Sequence, residues 1–133
     1  MLVNILIESI KKSTDDSVYQ TIPAKSFVKA LQIYPKNPQL VKWVNDYGEG
    51  KITCDSISIE SFNSDPSIIW NYDVIIFGFW DSNNNKDISA KGTEAVEQFI
   101  KDGHGVLLGH DTLRSYFPNF SKLSEYVNLE PSG

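Results

Sequence analysis

Apolar positions along this chain come in short runs separated by polar segments, and the runs carry two different periods. Leu2-Val3-Asn4-Ile5-Leu6-Ile7 is an apolar run of the kind buried in a sheet and reads as a first strand. Glu8 to Thr21 is polar, rich in Ser, Thr and Asp, and reads as a loop long enough to border a site. From Pro23 to about Ile33 the spacing changes. Ala24, Phe27, Val28 and Leu31 share a face at intervals of three and four, which predicts a helix with Pro23 in its first turn. Asn37-Pro38 predicts the start of the next helix, with Leu40, Val41, Trp43 and Val44 as its apolar side and Gly48 and Gly50 ending it.

Lys51 to Phe62 alternates, but on two phases: Ile52 and Cys54 on one, Ile57 and Ile59 on the other. A bulge, or a strand buried on both faces, reconciles them. Ser64-Asp65-Pro66 opens a short helical turn holding Ile68, Ile69 and Trp70. Asp73 to Trp80 is the strongest strand in the pattern, and its continuous hydrophobicity predicts a central parallel strand covered on both faces. After the polar loop Asp81 to Asp87, Ser89 caps a helix running to about Asp102, with Gly103 as its stop. Gly105 to Leu108 is a further strand, and a short helix in the tail turns Phe120, Leu123, Tyr126 and Val127 inward. Strands and helices in alternation predict an α/β domain with a mostly parallel sheet, and no repeat or shift in composition divides it.

Composition narrows the function more than it defines it. At 133 residues, 41% apolar and 22% charged, the chain supports one globular domain. A net charge of -5 and scattered Lys and Arg lack the basic footprint of a nucleic-acid partner. No run approaches the ~20 apolar residues that span a membrane, and the N-terminus lacks the pattern of a signal peptide. A cytoplasmic protein is expected from the chain as it stands, and an extracellular one if it is a domain of a larger surface protein. The single cysteine, Cys54, reads as a buried, inert thiol and offers neither a disulfide nor a cysteine-rich metal site.

Chemistry is concentrated where strands end. In an open α/β sheet ligands bind beyond the strands' carboxyl ends, which places Trp80, Asp81, Ser82 and Asn83 after one strand and His110, Asp111 and Thr112 after the next. A His bonded to a carboxylate serves as a general base near neutral pH, so His110 and Asp111 are the catalytic candidates. Asp111 equally suits the cap of a following helix, and adjacent strand residues point to opposite faces, so both readings stand. Trp80 is either core packing or a platform on which a sugar stacks. The loop from Asp81 to Asp87 has oxygen side chains at alternate positions, as calcium loops do. Lys86 occupies the position that needs glycine and Gly92 the one that needs a bidentate Glu, so no metal is expected there. Asp87 is otherwise a ligand-binding or capping residue. A phosphoacceptor receiver domain would need an acidic pair after the first strand, where only Glu8 stands.

The segment Tyr72 to Thr112, with "YDVIIFGFWDS" and "GVLLGHDT", resembles the middle of the class I glutamine amidotransferase-like superfamily, over about 40 residues. In its active members the second strand ends in Gly-x-Cys-x-Gly. Gly105 and Gly109 fit that pattern here, and Leu107 stands in the place of the cysteine. Asp81, Ser82, Asp87, Ser89, His110, Asp111 and Thr112 match a pattern similar to that of the ThuA-like branch and of uncharacterised bacterial domains. The resemblance implies a three-layer, flavodoxin-like α/β sandwich without amidotransferase activity, since leucine forms no thioester. The absent nucleophile, the short chain and the polar strand ends together lead to the expectation of a non-catalytic module, with no cofactor, that binds a small molecule (a carbohydrate for example) or a protein partner; a sheet edge or apolar face needing cover keeps a homo-oligomer in view. Its alternative is a ThuA-like carbohydrate-active enzyme using His110 with Asp81 or Asp111. Members of the superfamily usually run further, so residues 1–133 are expected to be a minimal domain or part of a longer protein.

Overall fold

The computed structural model of the chain describes residues 26–33, 39–78, 86–109 and 112–131. Strands β1 (Val28–Ile33), β2 (Ile52–Ile57), β3 (Val74–Phe77) and β4 (Gly105–Leu108) pair in parallel in the order β2-β1-β3-β4. Parallel neighbours require a crossover between them, and helices supply it. Helix α1 (Gln39–Tyr47) joins β1 to β2, and α2 (Ile59–Ser64) with a 3-10 helix (Pro66–Asn71) joins β2 to β3. Helix α3 (Ala90–Lys101) lies between β3 and β4, and short helices α4 (Pro118–Ser121) and α5 (Ser124–Val127) follow. The order is flavodoxin-like, reversing direction between β1 and β3.

The two sheet faces are covered unequally, which makes three layers. Leu31, Ile33, Ile75 and Phe77 point to one face, where Ile59, Phe62, Ile69, Val96, Phe99 and Phe120 close the main core. Phe77 meets Phe62 and Phe120 edge-on at centroid distances of 5.7 and 5.2 Å. On the other face Ala30, Cys54 and Ile76 form a smaller cluster under Leu40, Val41 and Val44 of α1.

The largest correction concerns the helix expected from Pro23 to Ile33. Val28 to Ile33 is a strand, and residues 21–25 lie outside the described residues. Its run from Ala30 to Ile33 is buried throughout because β1 is central, flanked by β2 and β3. A short apolar run buried on both faces satisfies helical spacing as readily as a strand's, so periodicity could not separate them. The strand expected from Lys51 to Phe62 stops at Ile57. Ser58 then caps α2, accepting from the Ser61 N–H at 3.1 Å. β2 keeps an unbroken register with β1, so no bulge is needed: Cys54 serves the smaller cluster and Ile57 the main core, one on each face. Tyr126 and Val127, expected to face inward, are exposed, whereas Phe120 and Leu123 are buried. The expected strand Leu2 to Ile7 and loop Glu8 to Thr21 lie outside the described residues. Helix α3 begins and ends as its signals imply, with Ser89 accepting from Gly92 N–H at 3.0 Å and Gly103 at φ +88° beyond it.

Candidate functional site

All four strands end level. Ile57, Ile33, Phe77 and Leu108 stand side by side in register, and their side chains join the main core. Immediately beyond this row, at the reversal between β1 and β3, is where sheets of this order bind ligands. The chain leaves β3 toward Trp80, Asp81, Ser82 and Asn83, and leaves β4 toward His110 and Asp111; these residues lie outside the described residues. Of the expected site, Asp87, Thr112 and Leu107 are described.

The exits of β3 and β4 are held close together. Gly109 donates its N–H to the Phe77 carbonyl at 2.8 Å. A methyl at Gly109 would fall 2.2 Å from the Gly78 carbonyl oxygen, and Gly78 itself has φ +64°. The second glycine of the Gly-x-x-x-Gly strand is thus fixed by backbone contact. Thr112 is buried, and its hydroxyl donates to the Gly109 carbonyl at 2.8 Å, closing the turn after β4.

Asp87 serves the fold from inside. Its Oδ2 accepts the Asn119 N–H at 2.8 Å, and Oδ1 accepts the N–H groups of Phe120 at 3.0 Å and Ile88 at 2.9 Å. The first two are otherwise orphan donors at the start of α4. Two amide side chains complete the knot. Asn63 donates to the Asp87 carbonyl and accepts from Ser89 N–H at 2.7 Å; Asn119 donates to the Ile88 carbonyl at 2.8 Å. Asp87, Ile88 and Ser89 therefore bind α2, α3 and α4 to one another, the capping alternative for Asp87 and Ser89.

One residue that periodicity concealed stands out. Gln32 is fully buried in β1, one position short of the strand's end, and neither its Oε1 nor its Nε2 has a hydrogen-bond partner among the described residues. Its row on the second face runs Ser56, Gln32, Ile76, Leu107. An amide left unpaired in an interior costs about 1–3 kcal/mol per group, so its presence beside the strand-order reversal calls for a partner. The signal available in sequence was a lone amide inside the run Val28-Lys29-Ala30-Leu31-Gln32-Ile33. Cys54, on the same face, is buried, and burial pushes its thiol up to about 11, which fits the inert reading.

His104 lies at the opposite end of the sheet, before β4, and is partly enclosed: its ring stacks on Phe99 at a centroid distance of 4.3 Å. Among the described residues no cluster of three or more His, Cys, Asp or Glu side chains is placed to hold a metal ion, and no helix is long and apolar enough to cross a membrane.

Among the described residues the geometry defines a flavodoxin-like α/β fold. No protein-family model, curated protein or solved structure matches the chain.

Proposed function

We propose that the chain is a non-catalytic, small-molecule-binding module of the glutamine amidotransferase-like class, and that Gln32 marks its ligand. The unpaired buried amide of Gln32 beside the β1/β3 reversal is the observation that carries this reading. A carboxamide offers one acceptor and two donors side by side, matching a ligand rich in hydroxyls or amides, such as a sugar, a sugar acid or a primary amide. Leu107 in place of a nucleophile supports binding over acyl transfer. The uses of Asp87 and Thr112 within the fold leave recognition to Gln32 and to the chain segments that follow β1, β3 and β4.

The test is a thermal-shift screen of sugars, sugar acids and simple amides on wild type, Gln32→Leu and His110→Ala. Gln32→Leu removes an unpaired amide while keeping the bulk, so the free protein is expected to gain about 1–3 kcal/mol. It should at the same time lose the ligand-induced shift seen with wild type. A Gln32→Leu protein less stable than wild type, or one that keeps the shift, rejects the proposal. Turnover of a sugar that His110→Ala abolishes would instead establish the carbohydrate-active alternative, with Asp81 or Asp111 as partner to His110.

A further inference from the structure

The neighbours of Gln32 narrow what its ligand can be. In the sheet register Gln32 lies between Ser56 of β2 and Ile76 of β3. Ala30 precedes it on the same face of β1, with Cys54 and Val74 on either side of Ala30. Ala30, Cys54 and Ile76 are buried and packed beneath α1. The Cys54 thiol is already engaged, donating to the Asp55 carbonyl at 3.4 Å. Of these neighbours only Ser56 carries a hydroxyl, and it is exposed. The Gln32 amide therefore sits among hydrocarbon and an engaged thiol.

We infer that the ligand at Gln32 is a ring amide, a lactam on an otherwise apolar body. The inference rests on the reading of Gln32 as the residue that marks the ligand, and narrows it. Oε1 and Nε2 are both unpaired, so a ligand has to bring a donor and an acceptor side by side. A lactam does this with one edge: its ring locks N–H and C=O cis, and two parallel bonds close on the carboxamide in one plane. An open-chain secondary amide is trans and puts the two groups on opposite sides. Once the lactam edge is paired, the rest of the ring is hydrocarbon, which suits Ile76, Ala30 and Val74. A primary amide brings a second N–H that finds no partner among those side chains. A sugar brings several further hydroxyls, each desolvated without a partner. A sugar acid brings acceptors alone at its carboxylate, which repels Oε1.

An NMR titration of isotope-labelled protein with δ-valerolactam, its N-methyl derivative, acetamide, glucose and glucuronate tests the inference. The readout is the Gln32 side-chain amide pair, assigned by its absence from the spectrum of Gln32→Leu. The lactam should move that pair. N-methylation removes the donor and leaves Oε1 unpaired, so it should weaken binding by at least about tenfold. Acetamide, glucose and glucuronate should likewise bind at least about tenfold more weakly than the lactam. An N-methyl lactam that binds as well as its parent, or another compound of the series that binds as tightly, overturns the inference and leaves Gln32 a ligand-binding residue. A Gln32 amide pair that none of the compounds moves overturns both readings.

Discussion

Asp87 illustrates how much a single carboxylate contributes when its partners are backbone donors. It accepts from the backbone N–H groups of Asn119, Phe120 and Ile88, all in a partly buried setting. Hydrogen bonds to a charged acceptor contribute about 1.5–3 kcal/mol, so Asp87→Ala should lower unfolding free energy by roughly 2–4 kcal/mol in a urea titration. Asp87→Asn, which keeps one acceptor oxygen, should lose less. Equal stability of Asp87→Ala and wild type would show that these bonds are replaced by water at no cost. Sequence marks Ser89 as a helix cap and leaves Asp87 between capping and ligand binding; only the distances to Asn119 and Phe120, more than thirty positions away, decide how Asp87 is used. Gln32 was hidden for the opposite reason. A residue assigned to a helix face has no reason to look orphaned until its strand neighbours are known.

Elements were legible in proportion to the strength of their ends. Helix α3 has Ser89 before it and Gly103 after it, and both act as those residue types predict. β1 has no such marks, and its core-facing run fits two periods, so it was read as a helix. Helix α1 packs Leu40, Val41 and Val44 as expected, whereas Trp43, expected beside them, is exposed; the helix's contribution also exceeds packing. Asn45 is the residue that ties it to β2. Asn45→Ala leaves the Cys54 N–H and C=O without their partner, and a loss of about 1–3 kcal/mol is expected on thermal or urea unfolding. Asn45→Asp retains the acceptor but not the donor, and should fall between. A neutral effect of Asn45→Ala would mean that solvent replaces the amide freely at this edge.

At the scale of the molecule, stability should depend on pH on the alkaline side through Cys54. Burial raises its folded-state value from 9.0 to about 11, so the unfolded chain releases this proton first as pH rises. Stability from this group is complete below pH 9.0, declines as pH climbs toward about 11, and is level beyond. Cys54→Ser or Cys54→Ala should flatten that decline in denaturation curves taken over the same range. A decline of the same size in the variants would assign it to other groups. The architecture itself was readable from the alternation of element types, while the strand order was not, because pairing partners carry no local mark. The Asn45 amide also bears on how the fold keeps to itself. A bare strand edge templates pairing with a neighbouring molecule, and at Cys54 that template is already filled from within, so trimming one side chain should cost solubility as well as stability.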